Sequence, residues 1–106
     1  MGRSSSSRAR VKSALSLSGP MTLAECGPMR LSILGAMAKG GVLRLDLAGS
    51  GPWDLAGLQV VLAAVKTVRG QGRSATLDHV PDVFLDVVEK AGCKEFLSGS
   101  ISSTEM

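Results

Sequence analysis

Val42-Leu43-Arg44-Leu45-Asp46-Leu47, then Ala48-Gly49-Ser50-Gly51-Pro52, then Trp53-Asp54-Leu55-Ala56-Gly57-Leu58-Gln59: this stretch decides the fold. Leu43, Leu45 and Leu47 alternate with Arg44 and Asp46, the period-2 pattern of a half-buried strand. Gly49 to Pro52 reads as a loop. Asp54 stands where an N-cap belongs, its carboxylate placed to accept the free amides of a first turn. From there Leu55, Leu58, Val61, Leu62, Val65 and Val68 form a broad apolar stripe at helical spacing. Lys66 and Arg69 fall in the last turns, where cations are favoured, and Gly70 to Gly72 end the helix.

Working outward, Ser13 to Leu17 reads as a short strand closed by Gly19-Pro20, and Met21 to Leu23 is a candidate second one. Thr22 and Glu25 have the spacing of a capping box, so a helix begins near Leu23 or, alternatively, at Pro28. Its expected inward face is Leu31, Leu34, Met37 and Ala38, and Gly40-Gly41 ends it. Downstream, Ser74 to Leu77 is a strand and Pro81 to Ala91 a helix with Val83, Phe84, Val87, Val88 and Ala91 inward. Gly92 caps that helix, and Lys94 to Leu97 is a last turn or short strand. Strands alternating with helices predict an α/β domain: a small mixed or parallel β-sheet of about four strands covered by α-helices.

Composition sets outer limits. The 106 residues suffice for one domain, and 44% hydrophobic with 20% charged residues is a globular balance. The net charge of +3 is unevenly placed. Residues 1–12 hold Arg3, Arg8, Arg10 and Lys12 and no acid, so the rest of the chain is close to neutral. With no basic face on the body and only Trp53, Phe84 and Phe96 as aromatics, nucleic-acid binding is not expected. Cys26 and Cys93 are far apart and have no His or Cys neighbours, so no metal and no cofactor is expected. No apolar run is long enough to span a membrane, and no secretory signal is evident, which implies a cytoplasmic protein. Residues 1–12 read as a disordered basic, Ser-rich tail, 13–97 as the domain and 98–106 as a flexible end.

This element order and the Asp54 segment resemble the STAS domain family. Family members carry a strand ending in Leu-Asp-Leu or similar, a loop, and then Asp-Ser/Thr-Ser/Ala-Gly-Leu, often with Gln next. Asp54, Ala56, Gly57, Leu58 and Gln59 match that pattern. The resemblance implies a non-catalytic domain, a regulator of the anti-sigma factor antagonist type, that binds a signalling partner through the loop and the N-terminal turn of the Asp54 helix. Ser50, Trp53, Asp54, Leu55, Ala56, Gly57 and Gln59 are then the candidate partner-binding residues. The implied partner is a protein: a kinase-like anti-sigma factor, a chemotaxis component or a transporter ATPase. The oligomeric state stays open between monomer and weak homodimer.

Regulatory members place a phosphorylated Ser or Thr after the Asp. Leu55 has no hydroxyl there, so a phosphate switch cannot operate at that position. Ser50 is the nearest candidate substitute. Two other functions compete: an accessory subunit of a phospholipid ABC transporter, and a small nucleotide-binding protein. The second lacks a phosphate cradle, because Gly49-x-Gly51 has no Lys-Ser/Thr after it. For Asp54 the plain structural reading is a cap, for Leu55 a core residue, for Trp53 a core lid, and for Gln59 a solvated helix residue. Gly57 inside a helix costs up to about 1 kcal/mol relative to Ala, so close approach by another backbone is expected to offset it.

Overall fold

The structure, a computed structural model, describes residues 14–101, so the expected basic tail at 1–12 lies outside the described residues. Strands β1 (Leu15–Ser16) and β2 (Gly19–Met21) lead through a 3-10 turn (Leu23–Glu25) into α1 (Cys26–Ala38). Strands β3 (Leu43–Asp46) and β4 (Ser50–Trp53) precede α2 (Leu55–Gly70), and β5 (Ala75–Asp78) precedes α3 (Asp82–Lys90) and α4 (Lys94–Ser98). This is the α/β class that the alternation of strands and helices predicts.

The sheet differs in detail from the single one of about four strands expected. Three parallel strands run in the order β1-β3-β5, with Leu15 opposite Leu45 and Leu45 opposite Leu77. A separate parallel pair, β2-β4, sets Gly19 opposite Ser50 and Met21 opposite Trp53. Ser50 to Trp53 is thus a strand and not the end of a loop. Its Gly and Pro content hides it in sequence. Pro52 is tolerated because β4 is hydrogen-bonded to one neighbour only, leaving an edge where a missing amide costs nothing.

Leu43, Leu45 and Leu47 are buried on one face with Ala75 and Leu77, and they pack against Ile33, Leu58, Val61, Val65 and Val68 of the helices. The alternate residues Arg44, Asp46, Thr76 and Asp78 stay half-buried on the opposite face. There Arg44 pairs with Asp78 at 2.7 Å.

Both expected starts of α1 describe part of the truth. The chain turns at Leu23 as 3-10 helix, and Pro28 then sits in the first turn of α1, where its missing amide is harmless. The inward face of α1 is Met29 and Ile33, with Ala36 and Met37 packed against the core. Leu31 and Leu34, expected inward, are 71% and 46% exposed. Met29, Ile33, Ala36 and Met37 have the same helical spacing, and the placement of α1 beside α2 selects that set.

The last segment is helix α4, not a strand. Residues 98–101, expected as part of a frayed end, are tied down. Ser100 is buried, Ile101 bridges Leu77, and the Leu77 amide donates to the Ser100 carbonyl at 2.8 Å. Arg69 of α2 clamps this segment, donating to the Phe96 carbonyl and the Ser100 hydroxyl while its guanidinium lies over the Phe96 ring. No described helix is long and apolar enough to cross a membrane.

Candidate functional site

The site is built on two helix starts joined by one carboxylate. Asp54, the N-cap of α2, accepts from the Gly57 amide through Oδ1 at 3.0 Å. Its Oδ2 accepts from the Leu23 amide at 3.1 Å, the first amide of the 3-10 turn ahead of α1. A single side chain therefore satisfies orphan donors of two helical segments, at the ends where a negative charge is favoured.

Thr22 and Glu25 complete the second start as a capping box. The Thr22 amide donates to Glu25 Oε1 at 2.9 Å, and the Thr22 hydroxyl donates to the same oxygen. The hydroxyl first, and then the amide, hold the Glu25 carboxyl below its usual range. A carboxyl depressed by folding contributes stability above its unfolded pKa, and that contribution is lost as pH falls through the folded pKa. Urea unfolding of wild type and Glu25→Gln across the acid range is expected to show a gap that narrows as pH falls. A gap constant with pH would contradict the assignment.

Gly57 lies directly under β2. A Cβ placed on it would sit 2.1 Å from the Met21 carbonyl oxygen and 3.2 Å from the Trp53 ring. The expected close approach by another backbone is present, and Met21 supplies it. Trp53 is the core lid, 6% exposed. Its ring meets Phe84 edge-on with centroids 4.7 Å apart, and its Nε1 donates to Ser50 Oγ at 2.8 Å. Ser50 Oγ in turn donates to the Leu47 carbonyl at 2.7 Å. Ser50 is buried and its hydroxyl is engaged on both sides, so it offers no exposed phosphoacceptor in this fold.

Of the residues singled out in the sequence, the fold brings Asp54, Leu55, Ala56 and Gln59 to the surface in whole or part and withdraws Ser50, Trp53 and Gly57 into the interior. Leu55 is 53% exposed and does not turn into the core. The sequence reading missed Leu23, which is 74% exposed on the other side of Asp54. A signal for it was present: Thr22-Leu23-Ala24 and Asp54-Leu55-Ala56 are both a capping residue followed by Leu-Ala. Each leucine takes the first helical position, where a side chain projects away from the body of the helix.

His79 follows the end of β5 with φ of 54°, and its Nδ1 lies 3.1 Å from Asp46 Oδ1. The Ala48 amide and then His79 hold the Asp46 carboxyl below its usual range, against a desolvation cost. The His79 ring is exposed and the Asp46 carboxylate half-buried, and no cluster of three metal-ligating side chains exists among the described residues.

The family model described as "Mlab, STAS domain" matches residues 4–98. The chain belongs to the STAS domain family. Among solved structures, this STAS domain is similar to the crystal structure of a sulfate transporter family protein from Wolinella succinogenes, at 14% identity and a TM-score of 0.68. That likeness covers 88% of this chain and 82% of the other, and it establishes the shared fold. No curated protein matches this STAS domain significantly.

Proposed function

We propose that this STAS domain is a non-catalytic interaction module that binds a regulatory protein through the paired helix starts around Asp54. The observation that carries the reading is the exposure of Leu23 and Leu55 on either side of one carboxylate that fixes both turns. Apolar side chains held rigidly in water are ready-made contact groups, and their ordering cost is already met by the fold. Asp54 is committed to two amides, so its role is to position Leu23 and Leu55 rather than to reach a partner itself.

Without a hydroxyl at position 55, binding here is not gated by a phosphate on this turn. Ser50 does not replace it, since its Oγ is buried between Trp53 and Leu47. Regulation then lies with the partner's abundance or state, and the domain acts by occupying the partner and releasing or withholding a third component. A cytoplasmic anti-sigma factor of the kinase-like type, or a component of a chemotaxis cluster, fits this reading. A second reading, an accessory subunit of a phospholipid transport machine, draws its support from the Mlab model that matches most of the chain.

Affinity capture from the source cell tests the site. Leu23→Arg and Leu55→Arg are each expected to capture at least about tenfold less partner than wild type, as for an interface anchor. Both side chains are exposed, so the thermal midpoint stays near the wild-type value. Undiminished capture by both variants would overturn the reading. The captured protein, regulator or transporter ATPase, decides between the two.

A further inference from the structure

We propose that the groove between α1 and α2 binds an amphipathic helix with an acidic polar face, contributed by a partner protein. The inference starts from α1, which is apolar on two sides. Met29 and Ile33 face the core, while Leu31 and Leu34 point outward among Gly27 and Ala38, with Arg30 one turn before Leu34 at the edge of that strip. Two leucines held out together on the outer side of a helix leave an apolar strip open to a partner. Beside Leu34 the surface dips into a groove of about 300 Å³, lined among others by Arg30, Leu34, Met37, Gln59, Ala63 and Thr67. The small Ala63 leaves room for another helix to approach.

Charge selects the occupant. Neither Cys26–Ala38 nor Leu55–Gly70 contains an Asp or Glu. Their charges are Arg30, Lys66 and Arg69, and Arg69 is already engaged with Phe96 and Ser100. Arg30 lies at the groove on α1, and Lys66 is exposed one turn beyond Ala63 on α2. By contrast α3 carries Asp82, Asp86 and Glu89 against Lys90 alone. A helix with leucine-like residues on one side and carboxylates on its flanks complements the groove in shape and in sign.

Other occupants fit less well. Residues 1–13 carry four basic residues and no acid, so they bring the same sign. A second copy presenting this same face does likewise. A lipid surface is flat and leaves the floor of a concave groove unfilled. The inference does not depend on the Leu23–Leu55 surface being an interface, although the groove borders that surface at Gln59.

Two synthetic helical peptides test it. They share a leucine stripe at i, i+3, i+4 spacing and carry either Glu or Lys at the remaining positions. Fluorescence anisotropy with the full chain is expected to show the Glu peptide binding at least about tenfold more tightly than the Lys peptide, a difference near 1.4 kcal/mol. The double variant Arg30→Glu, Lys66→Glu is expected to reverse that order, and Leu34→Ser to weaken both. Amide resonances of residues 30–37 and 59–67 should move with the Glu peptide.

Equal affinities, no binding, or shifts confined to other residues would overturn the proposal. So would stronger capture by phosphatidylglycerol vesicles than by the Glu peptide, a dimer that Leu34→Ser dissociates, or groove amides that shift when residues 1–13 are deleted. Capture of the cellular partner that proves insensitive to Leu23→Arg and Leu55→Arg would leave every one of these outcomes unchanged.

Discussion

Gly57→Ala is expected to lower the stability of the domain by about 2 kcal/mol or more, even though Ala is the better helix former. The two effects have opposite signs. Intrinsic propensity favours Ala in a helix interior by about 1 kcal/mol. Against this, the new methyl would stand 2.1 Å from the Met21 carbonyl oxygen, and that neighbour is backbone and cannot rotate away. Overpacking of this kind costs about 1–3 kcal/mol and occasionally more, so α2 must shift away from β2. That shift also moves the Gly57 amide off Asp54 and loosens the joint between the two helix starts. For a domain of this size the thermal midpoint falls by roughly 10 °C. A midpoint equal to or above wild type would show that β2 and α2 are not in contact as described.

Trp53→Ala carries the second large effect. The side chain is buried, stacks edge-on against Phe84 and covers the first turn of α2. Truncating such a residue costs about 3–5 kcal/mol, a large part of the stability of a small domain. The midpoint in thermal unfolding is expected to fall by roughly 20 °C. Trp53→Phe keeps most of the packing and leaves Ser50 Oγ with its bond to the Leu47 carbonyl, so its cost is nearer to about 1–2 kcal/mol. Loss of partner binding in Trp53→Ala would therefore report unfolding, not a lost contact. A small effect of Trp53→Ala on the midpoint would contradict the buried placement.

Elements with strong periodicity were legible. Alternation at Leu43, Leu45 and Leu47 marked β3, and the long stripe after Asp54 marked α2. The capping box at Thr22 and Glu25 was legible because it is a local device that acts within one turn. The cost of Gly57 pointed to a close backbone, though not to which one, since Met21 is distant in sequence. What could not be read were choices made by tertiary packing. Leucines at 31 and 34 look like a core face on an isolated helix, and only the position of α2 turns Met29 and Ile33 inward instead. Strand β4 was hidden because Ser50-Gly51-Pro52 has turn composition, and its pairing with β2 is a long-range event.

The candidate site divides the same way. Asp54 as a cap followed from its position before an apolar stripe. That the same carboxylate also reaches the Leu23 amide depends on how the two helix starts meet, which no local pattern encodes. The exposure of Leu55 and the burial of Trp53, two residues apart, were likewise settled by which side of the β4–α2 corner faces Phe84.

Hydrogen–deuterium exchange of the full chain, alone and with the captured partner, tests the central claim most directly. The account predicts added protection at the amides of residues 22–26 and 54–60, with α3 and α4 unchanged. Protection confined to α3, α4 or the polar face of Arg44 and Asp78, with none around Asp54, would contradict it.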